Sequence, residues 1–419
     1  MLVSDYNYDL PDERIAKFPP EERGSTRLLV LDRETGEIKD SHYRDLSDFL
    51  NPGDVLILND TRVMQSRLFC ELPDGRKREL VVLEKHGDEP QRVMYRGKLR
   101  EGDEVFVKTE GIRSLARRGV ASAARGDGPA GRAPRSNKNL VAITKILGNG
   151  IAEVESEVEL SELAEKYGTV PLPPYLHRDA TDADKKRYQT VWAKNMGSAA
   201  APTASLNMTD ELLEKLKQKG VVIKYLTLHV GLGTFLPIRS DKVEEHKMHS
   251  EWFHIPDDTL EAISGIKTGR VLSEPIFSDA RLEFSSTSYA GTPREPSLQD
   301  EPLGSVRNIG VENSNHGMHP KKTDSATRPR IIALGTTVAR TLEYYALTGK
   351  TEGEDDIFIY PGFEFKIVDA LLTNFHAPKS TVLMLASAFA GWDNLKNAYD
   401  YAVQEKYNFL SYGDSMLIC

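Results

Sequence analysis

Cys70 and Cys419 are the only cysteines in 419 residues, too few for a disulfide framework. There is also no C-x-x-C pair, no P-loop and no nucleophile elbow, so the sequence carries none of the short signatures of redox, nucleotide-triphosphate or serine-hydrolase chemistry. Long apolar runs are missing too. The longest, around residues 382–392, is broken by Ser387 and Gly391 and falls short of a membrane span. The opening residues "MLVSDYNYDLPDER" lack the basic start and apolar centre of a signal peptide, so a reducing cytoplasm is the expected location, with no membrane partner. Positive charge is in deficit: the net charge of -9 argues against indiscriminate nucleic-acid binding through counterion release. Basic clusters nevertheless stand out locally, "RKR" at 76–78, "KLR" at 98–100 and "DKKR" at 184–187. Taken singly, each is what a solvated face carries.

An apolar content of 39% beside 28% charged residues belongs to a globular chain, and this length exceeds what one core usually serves. "NPGDVLILNDTR" (51–62) reads as a turn at Pro52-Gly53, a buried strand and then a polar loop. From 67 to 157 the pattern becomes short alternating stretches divided by Asp-Gly and Gly-Asn-Gly turns, which predicts about six strands in a small antiparallel barrel or sandwich. Beyond it, helices alternate with apolar strands. Thr209 caps a predicted helix that carries Asp210 and Glu211 in its first turn and stops at Gly220. Such units favour a mainly parallel, covered sheet with ligands at the carboxyl ends of its strands. The expected architecture is therefore α/β: a main α/β domain (1–66 and 158–419) interrupted by a small antiparallel barrel or sandwich domain (67–157). Two stretches rich in small, polar and Pro/Gly residues, 113–139 and 272–330, bury too little apolar surface to offset chain entropy and read as disordered insertions.

Four stretches place polar residues at strand ends beside glycine. "LHVGLGTF" puts His229 after an apolar strand, with Gly231 and Gly233 allowing close backbone approach and Thr234 beyond; the third glycine of a dinucleotide fingerprint is missing. "HKMHSEW" offers His246, His249 and Glu251. On a helix the third would leave the face shared by the first two, so one metal ion could be held only by an irregular segment, and acid/base duty is the expected role. "ALGTTVARTLE" is a strand, the turn Gly335-Thr336-Thr337, and a helix bearing Arg340; amides at such a helix start suit a carboxylate or phosphate. "LLTNFHAPKST" puts Asn374 and His376 just past a strand. A further run of small side chains, "GSAAAPTAS" at 197–205, lets backbone approach something closely.

Together these strings, with "NDTRV", "PLPPY", "YQTVWA", "AAPTA", "YPGFEFKIVDALLTNFHAPKSTVLMLASAFAG" and "FLSYGDSMLI", occur in the order found in the queuosine-pathway S-adenosylmethionine:tRNA ribosyltransferase-isomerases. The chain resembles that family from about Asp5 to Ile418, the two insertions excepted. The resemblance implies transfer of the ribosyl part of S-adenosylmethionine to 7-aminomethyl-7-deazaguanine in the tRNA anticodon loop. Rearrangement to an epoxycyclopentane follows, and adenine and methionine are released. It implies an α/β main domain interrupted by a small antiparallel β-barrel domain, and no cofactor, since S-adenosylmethionine is consumed; no metal is expected.

A sulfonium acidifies the adjacent ribose carbon, so a positioned base can start the rearrangement, and adenine needs an acid to leave. Histidines suit both transfers, which makes His229, His246, His249 and His376 the candidate catalytic pool. For substrate binding, the resemblance points to the Gly335, Thr336, Thr337 turn or Arg340 for the methionine carboxylate, and to Glu251 or Asp414 for its ammonium. Arg62 is a candidate phosphate or carboxylate contact. Thr203, Ala204 and Ser205 are expected to make room for the nucleoside or the inserted base, with Gly231, Gly233, Thr234 and Asn374 beside them. One departure stands out. After "AAPTA" the family usually has Gly-Leu-His-Phe-Thr, whereas this chain has Ser205, Leu206, Asn207, Met208 and Thr209. Asn207 cannot carry a proton at neutral pH, so a tRNA-binding relative with impaired catalysis is the alternative reading, and a metal-dependent hydrolase on His246, His249 and Glu251 a third.

Overall fold

The computed structural model describes residues 1–83, 90–109, 137–148, 150–231, 238, 240–268 and 328–419. Its strands in chain order are β1 (Arg27–Leu31), β2 (Ile38–His42), β3 (Val55–Asn59), β4 (Thr61–Val63), β5 (Arg67–Glu71), β6 (Lys77–Val82), β7 (Arg92–Arg96), β8 (Glu104–Val107), β9 (Leu140–Gly148), β10 (Ile151–Ser156), β11 (Asn195–Ser198), β12 (Val222–Leu228), β13 (Glu251–His254), β14 (Ile331–Leu334), β15 (Glu352–Asp355), β16 (Ala370–Asn374) and β17 (Ser415–Ile418). The helices are α1 (Leu160–Tyr167), α2 (Asp182–Arg187), α3 (Asp210–Gln218), α4 (Asp257–Thr268), α5 (Thr336–Thr348), α6 (Thr381–Ala390) and α7 (Trp392–Gln404).

Nine strands form the main sheet in the order β15-β13-β12-β3-β14-β16-β17-β1-β2, and β10-β7-β6-β5-β8-β9 close into an antiparallel barrel. The turn-punctuated alternation after residue 67 thus becomes a barrel of six strands. Its inward positions, Leu68, Cys70, Leu80, Val93, Val105, Val141 and Ala152, are buried in one core with Leu160, Leu163 and Ala164 of α1.

The sheet departs from the mainly parallel expectation. Only its centre is parallel, β12 to β3, β3 to β14 and β14 to β16, together with β17 to β1. The pairs β12–β13, β13–β15, β16–β17 and β1–β2 run antiparallel. Between β1 and β2 the cause is the connection: residues 32–37 turn back on Gly36 at φ +75°, and a parallel pair would need a crossover of a dozen residues or more.

The run Val55–Asn59 is buried at every position because both faces of its strand are covered. Val55 and Ile57 pack on the side that also holds Val338, Leu342, Leu383 and Leu395 of α5, α6 and α7. Leu56 and Leu58 pack on the other side with Leu212, Leu213 and Leu216 of α3. Truncating Leu56 or Ile57 to alanine is expected to cost about 2–5 kcal/mol. Thr209 caps α3 as expected, its Oγ1 accepting from Leu212 N at 3.1 Å.

Three sequence expectations need correction at their edges. Residues 59–62 are not all loop, since Thr61–Val63 forms β4 and pairs in parallel with β11. Most of 113–139 and 272–330 lies outside the described residues, but Asn137–Asn139 makes a helical turn. Arg330 belongs to the fold: its guanidinium donates to Asp54 Oδ2 at 2.7 Å and to Phe49 O at 2.8 Å. Asp54 is fully buried, so a charge partner there is an energetic requirement that composition alone does not reveal.

Candidate active site

Because β12, β3, β14 and β16 are parallel, their carboxyl ends meet at one edge of the sheet, which is where open α/β sheets hold ligands. A cavity of about 140 Å³ lies there, on the order of ten water-sized spheres, the scale of a small organic molecule rather than an ion. Its walls are the sequence motifs. Ala201, Pro202, Thr203 and Ala204 come from the small-residue loop, Gly335, Thr336 and Thr337 from the start of α5, and Asn374 and His376 from the end of β16. The loop after β12 adds Val230.

Gly335 holds φ +102°, and a Cβ built on it would sit 3.7 Å from Ala204 Cβ. The left-handed backbone, the property for which glycine is used, therefore turns the chain into α5 directly against the small-residue loop. The amino terminus of α5 has no side-chain cap. Its first-turn amides thus lack intrahelical partners and present partial positive charge beside the cavity.

Polar groups converge on the same space. Asn374 is buried; its Nδ2 donates to Asp414 O at 3.4 Å, whereas its Oδ1 has no partner among the described residues. Thr337 Oγ1 is likewise buried without a partner. Such atoms cost about 1–3 kcal/mol each if left unsatisfied, so they mark where a ligand or water is expected. His376 is fixed by Thr373 Oγ1, 3.0 Å from its Nε2, and by its backbone N–H donating to Tyr399 Oη at 2.9 Å. Burial pushes its pKa down to about 3. At neutral pH it is therefore a neutral hydrogen-bonding ring with no proton to spare.

A smaller recess shares Thr336, Thr337 and Val382 with this cavity and adds Met248, Arg340 and Phe358. Arg340 donates to Asp355 Oδ2 at 3.1 Å and to Glu251 Oε2, while Glu251 Oε1 accepts from Gly231 N at 2.6 Å. Burial alone would lower the pKa of Arg340, but Glu251 and Asp355 outweigh it, so the guanidinium stays charged. One positive and two negative groups are thus buried together, and they tie the loop after β12 to helix α5.

The remaining candidates are placed as follows. His229 is buried, its Nδ1 lies 2.8 Å from Thr61 Oγ1, and its ring stacks on Trp252 at 5.2 Å. His246 and His249 are half-buried in an irregular segment, His246 edge-on to Phe358. Burial, and then the charge of His249, lowers the pKa of His246. Among the described residues no group of three or more His, Cys, Asp or Glu side chains is placed to hold a metal ion. Ser205 is fully buried behind the cavity wall, and Arg62 is exposed on β4. Asp414 is buried with both carboxylate oxygens taking main-chain N–H groups, from Arg27 and Asn408. Gly233 and Thr234 lie outside the described residues.

Among the wall residues that motif reading missed are Tyr175 and Ser411, whose hydroxyls are 2.5 Å apart. They sit in "PLPPY" and "FLSYGDS", strings whose order was informative but whose individual residues gave no chemical signal. Asn207, the departure noted above, does not line the cavity. It is buried, and its Nδ2 donates to Gly413 O at 3.1 Å and Ser415 Oγ at 3.3 Å, which makes it a main-chain tether.

The family model described as "Queuosine biosynthesis protein" matches residues 3–274 and 318–418. Over 427 residues and 100% of both chains, the sequence is 44% identical to the S-adenosylmethionine:tRNA ribosyltransferase-isomerase of Pelodictyon phaeoclathratiforme. It is also 44% identical, again over 100% of both chains, to that of Chlorobium phaeobacteroides. A crystal structure of S-adenosylmethionine tRNA ribosyltransferase from Thermotoga maritima is 26% identical, covers 99% of this chain and 100% of its own, and superposes with a TM-score of 0.46.

Proposed function

The chain belongs to the queuosine biosynthesis protein family, and on that premise we propose that it is a tRNA-modifying transferase and isomerase. It moves the ribosyl moiety of S-adenosylmethionine onto 7-aminomethyl-7-deazaguanine in tRNA and rearranges it, giving epoxyqueuosine-tRNA, adenine and methionine. The acceptor base lies in the anticodon loop. S-adenosylmethionine is a consumed substrate, no resident cofactor takes part, and the reaction runs in the cytoplasm. In the described residues no helix is long and apolar enough to cross a membrane.

The observation that carries this reading is the cavity at the parallel strand ends, walled by small side chains and equipped with unpartnered Asn374 Oδ1 and Thr337 Oγ1. The nucleoside occupies it, with Ala201 and Ala204 giving a planar base room. The methionine carboxylate sits on the uncapped first turn of α5, where amides and helix dipole favour an anion. Arg340 is engaged by Glu251 and Asp355, and Asp414 by main-chain amides, so both act through the fold. The buried cluster around Arg340 holds one cation and two anions, which favours a cationic sulfonium or ammonium nearby.

Three proton movements are needed: removal of a proton from the ribose carbon beside the sulfonium, donation of one to departing adenine, and an attacking amine in its neutral form. His376 is kept neutral by burial, so it orients substrate by hydrogen bonding. We take His229 and the pair His246 and His249 as the proton carriers; they lie outside the cavity lining, His246 against Phe358 of the recess. A neutral His246, favoured by its burial, is suited to act as base.

Adenine release from S-adenosylmethionine, followed chromatographically with tRNA carrying the aminomethyl-deazaguanine, tests the proposal. Release that depends on the modified tRNA is the expected result, and none above background would leave only binding.

A further inference from the structure

Two of the basic strings in the sequence, 76–78 and 98–100, converge on the barrel. The register of β6 and β7 sets Glu79 opposite Arg96, which carries Lys77 and Arg78 alongside Gly97 and Lys98. Arg78 follows Gly97 onto the other face of the pleat from Lys77, Arg96 and Lys98, and it is the fixed member of the group. Its Nε donates to Lys98 O at 3.0 Å and its Nη1 to Lys77 O at 2.8 Å. The side chain lies across Gly97, where a Cβ would come within 3.2 Å of Arg78 Cδ. Two backbone carbonyls thus fix the guanidinium in one orientation while most of its N–H donors remain, a pre-organised fork of the kind that suits phosphate.

At the same strand ends Lys77, Arg96 and Lys98 are exposed, and so is Arg100 two residues further on. Among the described residues none of these five makes an ion pair. Glu79 stands opposite Arg96 and Glu71 opposite Lys77 in the ladder, and Arg78 helps to lower the Asp74 pKa, but the ion pairs of these carboxylates are with other cations: Glu79 with Arg67 at 2.8 Å, Asp74 with Arg76 at 2.7 Å and Glu71 with Lys108 at 3.3 Å. The third basic string does not assemble in this way. Asp184 turns inward to Arg178, and Arg187 Nη1 donates to Glu21 O.

Five cations that form no ion pair among the described residues, gathered at one end of β6 and β7 on a chain of net charge -9, are complementary to a polyanion. We propose that this end of β6 and β7, with Arg78 as its fixed element, binds the phosphate backbone of the tRNA substrate. The proposal rests on the function argued above and adds a second point of attachment, on the barrel, that reads charge and spacing but no base.

The test is tRNA binding by the full chain across a series of KCl concentrations, for the wild type, a Lys77→Gln/Arg96→Gln/Lys98→Gln variant and Arg78→Gln. The triple variant keeps Arg78 and every barrel contact described, so loss of folding does not confound it, and thermal unfolding checks this. The expected result is roughly ten- to hundredfold weaker binding near 0.1 M salt for the triple variant. Its log affinity should fall with log salt by a slope about 2–3 smaller than wild type. The KM for S-adenosylmethionine should be unchanged and kcat recovered at saturating tRNA. Affinity and slope equal to wild type in both variants would overturn the proposal. Wild-type binding without adenine release would instead count against the proposed chemistry, and the variant comparison would still decide the surface.

Discussion

Replacing Arg340 with methionine tests the reading of the buried charge cluster. Side-chain exposure is 7% for Arg340, 3% for Glu251 and 0% for Asp355, so water cannot stand in for the lost guanidinium. Removing one partner of a buried pair costs about 3–5 kcal/mol, because the remaining charges are left uncompensated. Here two carboxylates would face each other. Glu251→Gln is the control. Its amide oxygen can still accept from Gly231, but its NH2 then faces the Arg340 guanidinium; because Arg340 and Asp355 remain a balanced pair, the expected cost is about 1–3 kcal/mol, below that of Arg340→Met.

The pH dependence follows from the same contacts. In the wild type burial raises the Asp355 pKa and Arg340 opposes this; without Arg340, burial and Glu251 still raise it and only the Ile357 N–H is left to lower it. A carboxyl whose folded pKa lies above its unfolded value contributes stability at low pH and loses it as pH rises through the folded value. The deficit of Arg340→Met should therefore be smallest near pH 4–5, roughly the unfolded range of a carboxyl, and grow toward pH 8. Urea unfolding at several pH values measures it. A cost below about 1 kcal/mol, or one independent of pH, would contradict a buried, net-negative cluster.

Three further outcomes are expected. Ala204→Phe fills the space against Gly335 and should raise the KM for S-adenosylmethionine more than tenfold, while overpacking costs about 1–3 kcal/mol of stability; intact turnover would show that the loop does not bound the substrate. His376→Gln should lower the rate without moving either limb of the pH–rate profile, since burial holds His376 neutral across the working range, and loss of a limb near pH 6–7 would reassign it as a proton carrier. Asn207→His should leave adenine release no faster than wild type, because Asn207 bonds Gly413 and Ser415 away from the cavity; a clear gain would mean that this position takes part in the chemistry.

Much of this arrangement was legible in the residues. The apolar run Val55–Leu58 announced a buried strand in a covered sheet, and turns every few residues announced a small antiparallel barrel or sandwich. The glycine turn at 335 announced a helix start suited to an anion, although its contact with the small-residue loop at Ala204 is seen only in the structure. What pattern could not supply was pairing over long distances. Arg340 and Glu251 look like ligand-binding groups when read separately, and only the packing of α5 against β13 and β15 shows that each answers the other's charge. The same holds for Arg330 with Asp54, which extends the fold into a stretch whose composition reads as disorder. Tyr175 and Ser411 belong to segments more than 200 residues apart, brought together at the cavity wall, and neither has a local environment in sequence that signals a site. The parallel centre with antiparallel flanks was hidden for a related reason, since strand direction is set by the connections and by which edge remains open.

The central claim is that the cavity between the small-residue loop, the start of α5 and the end of β16 receives S-adenosylmethionine. A crystal structure of the protein with S-adenosylmethionine tests it most directly. The account predicts the nucleoside beside Ala204 and within hydrogen-bonding distance of Asn374 Oδ1, with the methionine carboxylate on the amides of Thr336 and Thr337. A nucleoside bound elsewhere, with Asn374 Oδ1 and Thr337 Oγ1 still unengaged, would contradict it.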